Sequence, residues 1–331
     1  MKRSIFTLMT ALLVTGSLIL TGCAGSGGSA AETQGRSGTE IADTAQDDSG
    51  DTEEAGDSDE TETEAEEPEI LTESYASDEI EMPYARIGDG DQILVILPGL
   101  SVKQVTPSAA AVAAQYQVFL DNGYTIYLFD RRTNAPEGYT IWDMAEDTCT
   151  VMEDLGITQA DIFGASQGGM MAECIAITHP ELVDDLVLGS TLARHNENSD
   201  EVIAEWISLA EDEDGENLVD SFGARVYSEA VWEAYGDSIR AANAQISEEE
   251  YARFVTMAAA ILDFDCYDRL GEIDADVLVL GSEGDRVVTP SGSEEIAEAL
   301  DCECYMYDDS YGHGVYDEAA DYVSRVYDFC R

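Results

Sequence analysis

The chain has 331 residues, room for one large domain or two small ones, and 44% of them are hydrophobic and 8% aromatic. That composition excludes a chain that is disordered throughout. Seventy Asp and Glu stand against 15 Lys and Arg, a formal net charge of −55, which repels nucleic acid and anionic substrates and sets nucleic-acid binding aside as a function.

Lys2 and Arg3 precede an apolar run from Ile5 to Leu20 that ends in small residues, the layout of an export signal. A membrane-spanning helix is the competing reading. The run contains Thr7, Thr10, Thr15 and Ser17 and falls short of the roughly 20 apolar residues a span requires. Residues 1–22 are therefore read as a signal peptide. The boundary, Leu20-Thr21-Gly22-Cys23, resembles the lipobox of bacterial lipoproteins. The resemblance implies lipidation (palmitate) at Cys23 and an exported protein anchored to the outer face of the bacterial cell membrane, because two or more acyl chains hold a protein at a bilayer.

Residues 24–73 carry 17 acidic side chains and one basic one, Arg36, with no periodic apolar pattern. Such a stretch cannot bury enough apolar surface to fold. Residues 23–74 are read as a lipidated, acidic, disordered tether, and residues 75–331 as the folded domain. The domain itself holds 53 acidic against 12 basic residues, so its acidity is not a linker effect.

Within the domain, apolar runs at Ile93–Leu97, Thr125–Phe129, Asp161–Phe163, Leu186–Leu188, Val277–Leu280 and Cys304–Tyr307 read as buried strands. Helical patterns lie between them. Alternating strands and helices predict an α/β fold with a mostly parallel central sheet flanked by helices. Between the fourth and fifth runs the pattern is helical over about 194–263, which predicts a helical cap inserted after the strand at 186–188. Val202, Ile203, Trp206 and Ile207 share one helical face there, and Ser247 with Glu250 makes a capping box.

The strongest local signal is Asp161-Ile162-Phe163-Gly164-Ala165-Ser166-Gln167-Gly168-Gly169. A buried strand runs into G-x-S-x-G and then into a helical stretch from Met170 to Thr178, the context of a nucleophile elbow. Small residues two before and two after Ser166 allow a sharp turn. The turn sets Ser166 at a helix N-terminus, where the backbone N–H of Gln167 can meet a developing oxyanion.

A serine hydroxyl needs a positioned base, and three histidines offer themselves. His179 ends the helix after Ser166 and is expected to cap or pack there. His195 is expected in an exposed loop at the entrance to the cap. His313 follows the last strand between Gly312 and Gly314, ahead of a predicted final helix over Asp317–Phe329, and is the candidate base. A carboxylate should orient the imidazole. Asp285 leaves the carboxyl end of the Val277–Leu280 strand, where such sheets place their sites; Glu283 is the runner-up.

The order Ser166, Asp285, His313 resembles the α/β-hydrolase superfamily, in its capped serine-hydrolase or esterase type, from about Ile80 to the C-terminus. Ile96-Leu97-Pro98-Gly99-Leu100 resembles that family's oxyanion loop, with Pro98 where the family often has His. Leu100 is then the second oxyanion donor beside Gln167, with Ser101 as the alternative. Phe129-Asp130-Arg131-Arg132 resembles a strand-four turn in which Asp and Arg are structural. The resemblance implies attack by Ser166 on a carbonyl, proton transfer by His313, and hydrolysis of an acyl-enzyme. No cofactor or metal is implied, because the sequence has no dinucleotide fingerprint, phosphate loop or His-rich cluster.

The expected activity is cleavage of a small neutral or hydrophobic ester or related acyl compound, a small-molecule substrate. The alternatives are acyl transfer, peptide cleavage or carbon–carbon bond hydrolysis on the same site, or a non-catalytic surface binding lipoprotein. Apart from Cys23 there are six cysteines, Cys149, Cys174, Cys266, Cys302, Cys304 and Cys330, which allow 15 disulfide pairings and single out none.

Overall fold

The computed structural model describes residues 68–331. Cys23, the signal peptide and nearly all of the tether lie outside the described residues. The six apolar runs are strands: β3 (Gln92–Leu97), β4 (Tyr124–Phe129), β5 (Ala160–Ala165), β6 (Val183–Gly189), β7 (Asp276–Ser282) and β8 (Glu303–Tyr307). They pair parallel throughout. Two strands that carry no clear sequence signal precede them. β1 (Ile70–Ala76) and β2 (Glu81–Ile87) form a hairpin that joins β4 antiparallel. The sheet has eight strands in the order β1-β2-β4-β3-β5-β6-β7-β8. β1 thus begins five residues before the expected boundary at Tyr75. β1 buries almost nothing, so the ladder with β2 rather than an apolar pattern defines it.

Alternation of side chains across the strands splits the core in two. Leu94, Ile96, Phe163, Val187, Leu278 and Leu280 face one side, and Val95, Leu97, Ile162, Leu186, Leu188 and Val279 the other. In chain order the helices are α1 (Ala109–Gln115), α2 (Gln117–Leu120), α3 (Ile141–Asp154) and α4 (Gln167–Thr178), then α5 (Glu197–Glu211), α6 (Gly215–Val226), α7 (Glu229–Ala242) and α8 (Glu248–Leu262), then α9 (Pro290–Leu300), α10 (Val315–Glu318) and α11 (Tyr322–Cys330). Residues of α1, α2 and α11 cover the first side; residues of α3, α4 and α9 cover the second.

Helices α5 to α8 fill the connection between β6 and β7 as a cap. Their starts follow from the sequence. Asn196, Asp214, Ser228 and Ser247 each accept a hydrogen bond from the third residue of their helix, which satisfies one of the free N–H groups of a helix start. Trp206 and Phe222 pack inside the cap with ring centroids 4.5 Å apart. The cap is tied to the sheet by polar bonds as well. Arg253 of α8 donates to Asp130 at 3.2 Å and to the carbonyl of Val102 at 3.2 Å.

The expected last helix over Asp317–Phe329 is two helices, α10 and α11. The helix breaks at Ala319, whose ψ of 121° is extended. Just before the break, Glu318 accepts the backbone N–H of Ser228 at 2.7 Å, so the segment is held against the cap. All six cysteines of residues 68–331 are free thiols.

Glu173 of α4 is fully buried. It accepts a hydrogen bond from Cys266 Sγ at 3.3 Å, while its other oxygen has no partner among the described residues. Burial pushes its pKa well above the ordinary carboxylate range, against a smaller opposing effect of the Cys266 bond. The folded state therefore keeps a proton that the unfolded chain releases above about pH 4.3. Stability must then fall as pH rises from there toward the folded pKa, by up to about 1.4 kcal/mol per pH unit. Glu173→Gln should remove this slope. Denaturant midpoints between pH 5 and 8 should show the variant gaining on the parent as pH rises, and parallel profiles would contradict the assignment.

Candidate active site

The elbow is built by close backbone approach. A Cβ on Gly164 would lie 2.4 Å from the carbonyl oxygen of Gly168, one on Gly168 only 1.9 Å from that of Leu97, and one on Gly169 2.5 Å from Cβ of Thr191. These three glycines let β5 turn directly into α4 while β3 passes alongside. Ser166 sits at the turn with φ 52° and ψ −120°, a conformation that non-glycine residues adopt only when their surroundings enforce it. The enforcing bonds are Ser166 N–H to the carbonyl of Gly189 at 2.8 Å and the Thr191 hydroxyl to the carbonyl of Ser166 at 2.7 Å.

His313 and Asp285 meet across two loops. His313 Nδ1 lies 2.8 Å from Asp285 Oδ2, and both residues are buried. The other carboxylate oxygen accepts from the backbone N–H groups of Val287 and Val288 at 2.8 and 3.0 Å. A carboxylate that only accepts places the imidazole proton on Nδ1 and leaves Nε2 as the basic nitrogen. Gly312 allows a close backbone approach. Its Cβ would lie 2.6 Å from the carbonyl oxygen of Val226 and 2.7 Å from the N–H nitrogen of Ser228, so the loop carrying His313 presses directly on the cap backbone. Gly314 N–H bonds to that same Val226 carbonyl at 2.7 Å.

Ser166, His313, Gly99 and Leu100 line one cavity. Its remaining wall is mostly apolar, with Met170, Ile203, Trp206 and Phe222 among its residues and Ser199 and Tyr316 as its other hydroxyl-bearing ones, and no Asp, Glu, Lys or Arg lines it. The volume open to the centre of a water molecule is about 20 Å³, space for one water. Ser101 is not among the lining residues; its hydroxyl donates to the carbonyl of Lys103 at 2.8 Å. Gln167 occupies the first position of α4, where helix geometry leaves its N–H without an intrahelical acceptor.

Arg131 braces both sides of this cavity from behind. Its guanidinium donates to the carbonyl of Pro98 at 2.5 Å and to Gln167 Oε1 at 3.2 Å. The Gln167 amide in turn donates to the carbonyl of Met257 in the cap at 2.7 Å. Burial lowers the Arg131 pKa to about 10, partly offset by Asp130. The Asp130-Arg131 pair is legible in sequence as structural, but the reach of Arg131 to the Pro98 carbonyl and to Gln167 depends on contacts far apart in sequence.

The other two histidines lie elsewhere. His179 caps α4, its N–H bonded to the carbonyl of Ile175, with Nε2 2.9 Å from Glu146 Oε2. His195 pairs with Asp200 at 3.0 Å near the start of the cap. Glu283 lies next to Asp285 but has no bond to His313.

This sheet order, cap position and elbow define a known class of protein. Residues 93–320 match the model of the alpha/beta hydrolase fold family, and the chain belongs to that family. It is 27% identical over 64% of its length to a Caulobacter segnis protein that carries the name carbamate hydrolase RutD, covering 80% of that protein. It is 29% identical over 60% of its length to a Mycobacterium tuberculosis protein that carries the name non-heme bromoperoxidase BpoC, covering 79% of it. Among solved structures, the enol-lactonase from Burkholderia xenovorans LB400 superposes with a TM-score of 0.67 at 22% identity, over 78% of this chain and 99% of that one. MGS-M2, an alpha/beta hydrolase enzyme from a deep-sea metagenome, gives 0.69 at 20%, over 78% and 96%.

Proposed function

We propose that the protein is a serine hydrolase that cleaves a small neutral or hydrophobic ester or related acyl compound through an acyl-enzyme. The observation that carries this reading is the single apolar cavity holding Ser166 and His313, with His313 bonded to the buried Asp285. In this reading His313 Nε2 takes the proton of Ser166 Oγ as the oxygen attacks the carbonyl. His313 then returns the proton to the leaving group, Asp285 steadies the imidazolium, and water repeats the sequence to release the acid. The N–H groups of Gln167 and Leu100 receive the oxyanion. Leu100 is preferred to Ser101 because it lines the cavity.

An acyl group bearing a charge would find no ionic partner in that wall, and transfer of an unpaired ion into an apolar site is costly. The size limit follows from the cap, since a long acyl chain would have to displace Trp206 and Phe222. We further propose that lipidation at Cys23 holds the enzyme on the outer face of the cell membrane, with the acidic segment as spacer.

The test is a series of aryl esters with acyl chains of two to ten carbons, with and without a terminal carboxylate. The kcat/KM should peak at short chains and fall by at least tenfold on adding the carboxylate, and the product should be the free acid. A preference for long or anionic chains would overturn the substrate class. Transfer of the acyl group to an added amine in place of water would overturn hydrolysis.

A further inference from the structure

The amino ends of β5, β6 and β7, opposite the elbow end of β5, gather four carboxylates. The register of β5 against β6 slips between Ala160 and Ile162, so that two residues of β6, Asp184 and Asp185, stand opposite Asp161 in the ladder. This is the arrangement of a bulge, which re-aims side chains. Asp276 is the β7 partner of Asp185. Among the described residues no Lys or Arg forms an ion pair with Asp161 or Asp185. Asp161 is 5% exposed.

Into this cluster α11 delivers a thiol. Cys330 is 7% exposed and its Sγ has no hydrogen-bond partner among the described residues. One ligand atom each from Asp161, Asp185 and Cys330 lie within 4.8 Å of one another. Tyr124 secures the arrangement from behind: its hydroxyl is 3.0 Å from Asp161 Oδ2 and 3.0 Å from the carbonyl oxygen of Cys330. One hydroxyl proton serves only one of those acceptors at a time.

We propose that Asp161, Asp185 and Cys330 form a zinc-binding site that clamps the C-terminal helix to the sheet, remote from the catalytic cavity. Two carboxylates and one thiolate suit a borderline-soft divalent ion better than calcium or magnesium, which choose oxygen alone. Zinc–oxygen and zinc–sulfur bonds of about 2.0 and 2.3 Å put ligands roughly 3.5 Å apart, so small side-chain rotations close the present spacing. Water completes the shell on the half-buried side of Asp185. The ion binds as the Cys330 thiol gives its proton to solvent, Zn²⁺ + RSH → RS–Zn⁺ + H⁺, and it supplies the positive charge that the carboxylates lack. This site does not depend on the hydrolase reading.

The experiment is a cobalt(II) titration of the chelator-treated full chain. One equivalent should produce a thiolate-to-cobalt charge-transfer band that added zinc displaces, with release of about one proton per ion at neutral pH. Cys330→Ser should abolish the band. Asp185→Asn, at a partly exposed position and with the thiol intact, should weaken cobalt binding roughly tenfold or more, at least as much as loss of an outer-shell partner does. Zinc should raise the melting temperature of the parent and leave that of Cys330→Ser unmoved. No band, or a band that survives in Cys330→Ser, overturns the site. If Cys330→Ser fails to fold, unchanged cobalt affinity in Asp185→Asn overturns it equally.

Discussion

Ser166→Ala is expected to lower kcat for a short-chain ester by roughly 10⁴- to 10⁶-fold, with His313→Ala close behind and the double variant no worse than either single one, because members of such a unit act together. Both variants should lose labelling by a fluorophosphonate, which captures only activated serines. Their folds should survive. Ser166 stands at φ 52°, and Ser166→Gly, which accepts that conformation freely, should be equally inactive yet more stable by about 1 kcal/mol. Turnover preserved in Ser166→Ala would mean that another group performs the attack, and the proposed mechanism would fall.

Gly168→Ala is expected to be the most damaging methyl group that can be added near the site. The new Cβ would stand 1.9 Å from the Leu97 carbonyl oxygen and 2.7 Å from that of Pro98, and both belong to backbone rather than to a side chain that can swing away. β3 lies between β4 and β5 and cannot retreat without disturbing both. A loss of roughly 4 kcal/mol or more, the range reserved for severe core defects, should appear as little soluble protein. Gly138→Ala gives the contrast. Gly138 also has positive φ, 74°, but nothing lies within 4 Å of its added Cβ, so the cost should be the roughly 1–2 kcal/mol of a left-handed alanine. Equal stability of the two variants would show that strand and elbow are less tightly apposed than described.

What the sequence makes legible here is what local pattern encodes. Five of the six parallel strands announce themselves because β3 to β7 bury most of their side chains, giving nearly unbroken apolar runs; β8, expected to be buried as well, lies at the sheet edge and buries only Tyr307. The β1–β2 hairpin does not, because β1 is largely exposed and Pro83 inside β2 argues against a strand. The elbow is readable because its glycines are close in sequence. Gly312 is readable only as a flexible position, since the Val226–Ser228 backbone it presses on lies over 80 residues away. The Arg131–Gln167–Met257 chain and the Arg253 tie to Asp130 are hidden for the same reason. They join segments whose proximity the fold alone creates.

The margin of the sheet has a mechanical consequence. β1 touches the rest of the sheet only through β2, and the ladder between them is open at the Ile70–Ile87 end and closed by the turn after Ala76. Tension on the chain ahead of Ile70 therefore enters at the open end and loads the rungs one after another, not all together. Strands opened in that way part at lower force than strands pulled along their length. A pull at that end would peel β1 away and add slack, while β2 stays bonded to β4 and the remaining strands keep their ladder.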